Sequence, residues 1–573
     1  MAFASPLVSL DARRRPVRSL VIGIARHGGT EGSGLGASPG TRLLFSLLER
    51  SLRQKCSLRR LPPYFYGIAP RQAVEIAEEL LGEVDALVLS LPPHPADLEA
   101  LFLVRRQLRR RIPFVYLPLG EFPRGAWFYR HFHQYLGPDD LIWFSSAADR
   151  QVHDLLVASP RARIRVLPFG IDLAPYSGAA ATRATTRRHL GINHEEVVFV
   201  VHGRLDPEKN VHGVAAVFGE VARRAPACRL WVVGPVPGDF RLMPGPHPLA
   251  AVPAGPYKDL LAAGLGGDGA GRVSFWGGVP QELLPRVLAA ADIGVNLTVN
   301  RDENFGFSVV EAMAAGLPVI GTDWGGLRDT IDDGVTGFRV PTVVTAAGIA
   351  VDHPAAVRHA LDLAADGPAR RRMGEAAAAR ARDRYAIDQC ADHLLLEVRR
   401  LLARPRPARP HRWTSLGLRL VQEHSVRLSG AGSRSFPLPL PPAALDERAR
   451  AIIRPYATRT QDLEPDPGAV VLLASPLIRC DGRAVTSADP AYPIDGRLAG
   501  PADLLVCRVL AAEGPVGVRD LLASAAGTAT RQEVLDALRR LLAAGVVLQS
   551  REPAPACHDT GKDEAHVDPR NRR

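Results

Sequence analysis

The feature that most constrains this chain is a regular alternation of short apolar runs with amphipathic segments. Each run is closed by glycine or polar residues, as is typical of strands inside a sheet. In the first part of the chain the runs lie at residues 19–25, 85–90, 113–117, 141–146 and 163–170. Apolar strands that alternate with helical segments indicate parallel α/β units, so we predict such a unit here.

The alternation starts again in the middle of the chain. The second set of strands lies at 196–210, where a turn follows the strand, and at 228–234, 272–279, 291–298 and 317–323. The sequence therefore predicts an α/β fold with two Rossmann-like, doubly wound domains, at 17–185 and 186–403. We expect the second domain to end with a crossing helix at 386–403.

The pattern changes after residue 403. Alternating proline and arginine cannot sustain a helix, so 404–442 is predicted to be a linker. We expect an accessory domain at 443–550, with a hairpin over 470–487 around Asp481-Gly482 and then two or three short helices. A hairpin followed by short helices resembles the element order of a winged-helix domain. The polar tail, 551–573, is predicted to be disordered.

Composition excludes several classes of protein. Of the 573 residues, 46% are hydrophobic and 23% are charged, which is ordinary for globular proteins and excludes wholesale disorder. No apolar run reaches the roughly 18 uncharged residues of a membrane span. The N-terminus lacks the apolar region of a signal peptide, so we expect a cytoplasmic protein. The six cysteines form no CxxC pair, so neither a zinc site nor a disulfide framework is predicted.

The strongest chemical signal is RDENFGFSVVEAMAAGLPVIGTDWGG, at 301–326. Glu303 lies in a loop after a strand, and Glu311 follows inside the next helix. The turn at 305–308 joins strand to helix, and its free N–H groups and the helix dipole make a natural anion site. Gly306 permits close approach of the backbone. A phosphate bound there would have one carboxylate on either side.

A second signal is GRLDPEKN, which follows the first strand of the second domain. Arg204 and Lys209 emerge at the carboxyl end of that strand, where α/β folds place ligands. Lys209 is one of only four lysines in the chain, which makes its position in this turn more informative. Two cations opposite a helix N-terminus suit a diphosphate, because arginine can grip it with two donors and lysine supplies a point charge.

Taken together, these segments and their order resemble the retaining GT-B glycosyltransferases of the family 4 type, also called glycosyl transferases group 1. The resemblance covers 17–403 and is strongest from 197 to 340. It implies an enzyme, a hexosyl or glycosyl transferase that binds a nucleotide-diphosphate sugar in the cleft between two Rossmann-like domains. It further implies retention of anomeric configuration through front-face displacement, with no cofactor and no metal because cations replace the metal.

The resemblance also assigns roles to residues. Arg204 and Lys209 would stabilise the leaving diphosphate, Glu303 would contact hydroxyls of the donor sugar, and Glu311 would hold the ribose. The remaining donor contacts would come from the backbone of a glycine loop and of the strand-to-helix turn, at Gly28, Gly29, Phe305, Gly306, Phe307 and Ser308.

Two features depart from the family pattern. Many relatives carry a histidine after the fourth N-terminal strand, but here the segment YLPLGEFPRG (116–125) has none, and neither Glu121 nor Arg124 can be assigned its role. The glutamate expected after the second Gly-Gly is displaced, and GGLRD offers Asp329 instead. The acceptor-side catalytic residue is therefore undefined.

The acceptor class stays open between a lipid-linked sugar, a polysaccharide and a natural product. The basic stretches 42–60 and 97–111 contribute +5 and +3 to a net charge of +11. They indicate either peripheral contact with an anionic membrane or arginine that is merely solvated. No nucleic acid is expected, because TRQEVLDALRRLL balances three arginines with two acids.

Alternatives to transfer also stay open. The chain could be an epimerase or hydrolase on the same fold, or a non-catalytic sugar-nucleotide sensor with a C-terminal output domain. The accessory region also resembles, faintly, winged-helix domains that capture precursor peptides; a plain accessory or oligomerisation domain is the other interpretation.

Overall fold

The fold is described from a computed structural model. The described residues are 20–25, 39–60, 70–90, 111–118, 135–157, 161–235, 247–249, 255–404, 447–480, 484–489 and 500–550, with a few single positions between these ranges.

The first α/β half contains a parallel sheet of six strands. The strand order is β2-β1-β3-β4-β5-β6, and every pairing is parallel. The strands are β1 Val21–Ala25, β2 Ser57–Arg60, β3 Ala86–Ser90, β4 Phe114–Leu117, β5 Leu141–Phe144 and β6 Arg163–Val166. The helices are α1 Pro39–Arg53, α2 Pro70–Glu83 and α3 Ala147–Leu156. Every residue of β4 and β5 is buried, which explains their uniformly apolar sequences.

The second half contains a seven-stranded sheet in the order β13-β12-β11-β7-β8-β10-β9, parallel except for β9. The strands are β7 Val197–His202, β8 Cys228–Val233, β9 His247–Pro248, β10 Val273–Gly277, β11 Ile293–Asn296, β12 Val319–Thr322 and β13 Gly337–Val340. The helices are α4 Ala174–Ser177, α5 Arg183–His189, α6 Val211–Arg224, α7 Pro256–Ala270, α8 Leu284–Ala290, α9 Phe307–Ala314, α10 Leu327–Thr330, α11 His353–Ala365 and α12 Gly367–Arg384. The α/β class predicted from the strand pattern is thus confirmed.

Helix α13, Ile387–Leu402, returns from the second half to the first. The N–H of Ile387 donates to the carbonyl of Ile171 at 2.9 Å, and Lys55, just after α1, pairs with Asp392 at 2.6 Å. Gly170 is required beside this crossing, because a Cβ at that position would lie 2.7 Å from the Cα of Ile387. The two halves are therefore joined by backbone contact as well as by the chain itself.

The C-terminal unit, which we define as residues 447–550, is attached to the second half through a small sheet. Its strand β16, Arg459–Thr460, pairs in parallel with β14, Thr342–Val344, which also pairs with β15, Ile349–Val351. The rest of the unit consists of α14 Glu447–Ile453, β17 Val470–Leu473, β18 Ile478–Cys480, β19 Val485–Ser487, α15 Pro501–Glu513, β20 Val516–Gly517, α16 Val518–Ser524, α17 Arg531–Ala543 and β21 Val547–Ser550.

One prediction about this unit is wrong in part. The hairpin expected over 470–487 comprises only β18 and β19, which pair on either side of residues 481–484. Strand β17 instead lies between β20 and β21 and pairs antiparallel with both. The sequence could not reveal this, because β21 lies at the far end of the unit. The winged-helix assignment stays a prediction.

Within the described ranges, no helix has the length and apolar character that would let it cross a membrane.

Candidate active site

A turn after β7 carries Lys209 and is fixed by side-chain caps. Asp206 accepts a hydrogen bond from the N–H of Lys209 at 3.0 Å, which caps the 3₁₀ turn Pro207–Lys209. Asn210 then adopts a left-handed conformation at φ 51° and caps α6 by accepting from the N–H of Gly213 at 3.1 Å. Asparagine tolerates this conformation better than most residues do. The turn therefore presents Lys209 from a rigid backbone.

The loop after β11, which we call the Glu303 loop (297–306), is tied to that turn. The amide of Asn210 donates to the carbonyl of Leu297 at 2.9 Å. The N–H of Val299 donates to the carbonyl of Glu208 at 2.9 Å. Because both loops follow neighbouring parallel strands, their ends meet at the same edge of the sheet.

These two loops bring Lys209 and Glu303 into an ion pair. The Lys209 Nζ lies 2.5 Å from Glu303 Oε2, and the hydroxyl of Thr298 lies 3.2 Å from the same oxygen. The Glu303 side chain is 9% exposed and that of Lys209 is 23% exposed. The lysine therefore neutralises a nearly buried carboxylate through a charge-assisted hydrogen bond.

Arg204 does not share this pair. Its guanidinium lies 3.4 Å from Asp206 Oδ2, and its side chain is 45% exposed. The two cations predicted to act together thus differ in environment: Lys209 is held against a carboxylate, whereas Arg204 is half exposed to solvent.

Glu311 lies in α9 and contacts two residues that the sequence analysis missed. His202 Nε2 lies 3.1 Å from Glu311 Oε2, and the Gln281 amide donates to Oε1 at 3.2 Å. The His202 and Glu311 side chains are 7% and 10% exposed. His202 ends β7 directly before Gly203-Arg204, and that position at a strand's carboxyl end was the available signal.

The turn that begins α9 is shaped by Gly306 and by contacts of Ser308 and Phe307. Gly306 adopts φ 78°, and a Cβ there would lie 2.8 Å from Leu327 Cδ1, so conformation and space both favour glycine. Ser308 accepts a hydrogen bond from Asn296 at 2.9 Å. The Phe307 ring stacks at 6.5 Å on Phe169. The first N–H groups of α9 have no intrahelical partner and point away from the helix start.

Residues of the first half contact the Glu303 loop. The hydroxyl of Ser145 donates to the carbonyl of Asn304 at 3.0 Å, and the Asn304 amide donates to the carbonyl of Pro118 at 3.3 Å. Asp329, which the sequence offers in place of the expected glutamate, accepts a hydrogen bond from the N–H of Ala147 at 2.7 Å. Asp329 therefore binds the start of α3.

A buried carboxyl group lies at the same junction. Asp149 of α3 is fully buried, and the Tyr456 hydroxyl donates to its Oδ1. Burial raises the pKa of Asp149 to about 7; the hydrogen bond from Tyr456 opposes this rise, and the nearby charge of Asp302 adds to it. Burial likewise raises the pKa of Tyr456.

Some predicted site residues lie outside the described residues: Gly28 and Gly29 of the glycine loop, and Glu121 and Arg124 of the acceptor side. Across the described ranges, no group of three or more His, Cys, Asp or Glu is arranged to hold a metal ion.

The chain folds into two Rossmann-like halves; loops of the second half hold Lys209 and Glu303, and the first half contacts the Glu303 loop. This arrangement defines a protein of the GT-B class. Residues 182–380 match the model of the family Glycosyl transferases group 1.

Relatives with similar sequences include two named glycosyl- or mannosyltransferases. The D-inositol 3-phosphate glycosyltransferase of Geodermatophilus obscurus is 31% identical over 261 residues, covering 45% of this chain and 51% of that protein. The GDP-mannose-dependent alpha-(1-6)-phosphatidylinositol monomannoside mannosyltransferase of Mycolicibacterium smegmatis is 32% identical over 192 residues. That match covers 32% of this chain and 44% of that protein. The chain thus spans about half the length of the curated relatives it matches.

Two solved structures are also similar. Anabaena Alr3699/HepE in complex with UDP and glucose aligns over 66% of this chain and 100% of its own, with a TM-score of 0.48 and 18% identity. WaaG, a glycosyltransferase involved in lipopolysaccharide biosynthesis, aligns over 65% of this chain and 99% of its own, with a TM-score of 0.42 and 18% identity.

Proposed function

We propose that this protein is a glycosyltransferase that moves a sugar from a nucleotide-diphosphate sugar to an acceptor. The observation that carries the proposal is the Lys209–Glu303 ion pair at 2.5 Å, which lies inside the family-matched segment. It stands at the carboxyl ends of β7 and β11, where α/β folds bind ligands. The site, rather than the fold alone, therefore supports a transferase.

The predicted site residues that the structure describes have the following roles in this proposal. Lys209 receives the negative charge of the departing diphosphate, and the half-exposed Arg204 adds a second cation near the donor phosphates. Glu303 accepts hydrogen bonds from hydroxyls of the donor sugar, and Glu311 accepts them from the ribose. The backbone of 305–308 holds a phosphate at the start of α9.

The ion pair suggests how the donor is admitted. Lys209 and Glu303 neutralise each other in the structure. A diphosphate placed beside the lysine takes over that neutralisation, and a sugar hydroxyl supplies Glu303 with a new donor. This change of partners keeps the lysine paired with a negative charge and the carboxylate hydrogen-bonded, so donor binding does not leave the buried carboxylate without a partner.

The chemical step follows from this arrangement. The bond between the anomeric carbon and the diphosphate oxygen breaks, and a bond to the acceptor oxygen forms on the same face of the sugar. The departing phosphate oxygen takes the acceptor proton, so atoms and charge balance without a separate base. Configuration is retained in this scheme.

The donor base, donor sugar and acceptor are proposed only by class. The names of the relatives mention GDP-mannose and D-inositol 3-phosphate, and one similar structure contains UDP and glucose. A first panel should therefore contain UDP-, GDP- and ADP-linked sugars, with an inositol phosphate among the acceptors.

The test is release of free nucleoside diphosphate by the purified full-length chain, followed by analysis of products by mass spectrometry. Release that depends on an acceptor, with a glycosylated product, supports the proposal. Release of free sugar without an acceptor would favour a hydrolase. Tight nucleotide binding without turnover across the whole acceptor panel would favour the sensor interpretation and contradict the proposal.

Peripheral membrane contact remains a further prediction. Six cations of the two basic stretches are engaged in ion pairs within the protein: Arg50, Lys55, Arg59, Arg60, Arg105 and Arg111. These pairs reduce the charge available to an anionic surface. Cosedimentation with vesicles containing anionic lipid, compared with neutral vesicles, tests the prediction.

A further inference from the structure

The C-terminal unit reaches the back of the Glu303 loop. The carbonyl of Tyr456 accepts from the N–H of Gly325 at 2.8 Å, and the adjacent Gly326 donates to the carbonyl of Glu303 at 2.8 Å. Trp324 donates through Nε1 to the carbonyl of Asn300 at 2.8 Å. One short turn therefore links the backbone of Tyr456 to two points of the loop that carries Glu303.

The aromatic ring of Tyr456 also packs against this turn. Its centroid lies 5.5 Å from that of Trp324, and both side chains are fully buried. Gly325 adopts φ 52°, and a Cβ there would lie 2.7 Å from Tyr456 Cδ1. The fit leaves no room for the turn to shift toward the ring, so Tyr456 fixes the turn sterically as well as by its hydrogen bond.

The same residue contacts the first half of the protein. Its hydroxyl donates to Asp149 in a fully buried bond that spans 307 positions of the chain. Tyr456, a residue of the C-terminal unit, thus contacts the 324–325 backbone that binds the Glu303 loop and, through its hydroxyl, the first half.

A second link joins the C-terminal unit to the Lys209 turn. Asp489 Oδ1 lies 2.8 Å from His212 Nε2, and the Ser475 hydroxyl donates to Asp489 Oδ2 at 2.8 Å. All three side chains are buried. His212 lies in the first turn of α6, two residues after the cap residue Asn210, which itself follows Lys209.

We infer that the C-terminal unit is a positioning element of the active site, with Tyr456 holding the Glu303 loop and Asp489 holding the Lys209 turn. The predicted effect on catalysis rests on the proposed function. The predicted effect on the positions of the two loops does not depend on that function. The two members of the ion pair come from separate loops. Each loop is linked to the unit by buried contacts, the Glu303 loop through residues 324–326 and the Lys209 turn through His212. Loss of either contact lets the loops move apart, and misplacement of about 1 Å in an active site is enough to cost a large part of the rate.

The test compares matched variants of the full-length chain. Tyr456→Leu is paired with Tyr492→Leu, because Tyr492 is an equally buried tyrosine of the same unit whose hydroxyl bonds to Thr345 and Gly545, away from both catalytic loops. Asp489→Asn is paired with Asp503→Asn, because Asp503 is a buried aspartate whose partner, Arg540, lies within the unit.

The first readout is hydrogen–deuterium exchange, which needs no turnover. We expect amide exchange to be about tenfold faster than in the matched control at 297–306 in Tyr456→Leu and at 206–213 in Asp489→Asn. The exchange rate of strand β8 should stay unchanged in both variants. Equal exchange in each variant and its control would overturn the inference. If Tyr456→Leu does not fold, the Asp489→Asn pair decides alone.

The second readout is the rate of nucleoside diphosphate release at saturating donor. We expect kcat to fall about tenfold or more in Tyr456→Leu and Asp489→Asn while both controls stay within about twofold of wild type. A change confined to the melting temperature, with kcat preserved, would mean a merely structural role and would contradict the inference. If the wild type releases nothing with any donor, the proposed function fails, and the exchange result still decides the positioning role.

Discussion

The ammonium of Lys209 lies 2.5 Å from a carboxylate oxygen of Glu303, although the two residues are 94 positions apart and follow different strands. Asp206, Asn210 and Thr298 fix the two loops so that this contact forms. The pair concentrates one positive and one negative charge at the carboxyl edge of the second sheet. In the proposed function, the lysine is the cation for the phosphate and the glutamate is the acceptor for hydroxyl groups of the sugar.

Loss of Glu311 should weaken nucleotide binding more than catalysis. If Glu311 holds the ribose equally in the ground state and the transition state, Glu311→Ala raises the donor KM about tenfold and leaves kcat within about twofold. Titration calorimetry with the nucleoside diphosphate checks the binding loss directly. Glu397→Ala is the control, because Glu397 is also a buried glutamate but pairs with Arg400 in α13. A kcat loss as large as the KM change would contradict the assignment.

Arg204 should matter for the donor but not for folding. Its exposed contact with Asp206 at 3.4 Å contributes at most about 1 kcal/mol to stability. Arg204→Ala should therefore leave the melting temperature unchanged and reduce kcat/KM for the donor about tenfold, by removing a cation near the phosphates. The exposed Arg223, paired with Glu220, gives a control substitution with no expected kinetic effect. Equal kinetics in Arg204→Ala and wild type would argue against a phosphate role.

Gly306 should tolerate alanine less well than a glycine of similar conformation nearby. Both Gly306 and Gly316 have positive φ, at 78° and 82°, so alanine costs about 1–2 kcal/mol of backbone strain at each. Only at position 306 would the new Cβ also meet a neighbour, Leu327 Cδ1 at 2.8 Å, whereas nothing lies within 4 Å at position 316. Urea unfolding should show a larger loss of free energy for Gly306→Ala. Equal losses would mean that Leu327 moves aside freely.

Stability should depend on pH through Asp149. Its pKa is near 3.8 when unfolded and is raised to about 7 by burial, with Tyr456 opposing and Asp302 and Asp329 adding to the rise. Between about pH 4 and 7, Asp149 is therefore protonated in the folded state and ionised in the unfolded state. The stabilisation from this proton is complete below pH 4 and is lost as pH rises toward 7. The slope is at most about 1.4 kcal/mol per pH unit.

The neutral variant Asp149→Asn isolates this effect. It cannot titrate, so the free energy of unfolding, measured in urea from pH 5 to 8, should fall less steeply with rising pH than in wild type. Burial lowers the pKa of His353 to about 4, so His353 makes the free energy of unfolding rise with pH below 6.5. Wild type and Asp149→Asn share this effect, which therefore cancels when their slopes are compared. Identical slopes would show that Asp149 does not titrate in this range.

Much of the second half could be predicted from the sequence because its signals are local. The apolar run of β7 and the turn after it predict where Lys209 lies, and the strand-to-helix turn places Glu303 before α9 and Glu311 within it. Strand β2 was missed because SLRR is a short, mostly exposed edge strand without apolar alternation.

The contacts that complete the site were not predictable, because they join distant positions. His202 could be located at a strand end, but its contact with Glu311 depends on how β7 and α9 pack. The Tyr456–Asp149 and His212–Asp489 contacts span 307 and 277 positions, and no local pattern marks them. The resemblance to a known family could not supply them either, since the family-matched segment ends at residue 380.

The most direct test of the central claim is nucleoside diphosphate release by Lys209→Met and Glu303→Gln, measured with the donor that the wild type accepts. The control is Lys55→Met, since Lys55 also pairs with a carboxylate, that of Asp392, but lies away from the catalytic loops. If the ion pair carries the chemistry, both site variants lose about 10²–10³ in kcat, as expected when a group that stabilises developing charge is removed, and the control keeps wild-type activity. Site variants that turn over as fast as the Lys55→Met control would contradict the account.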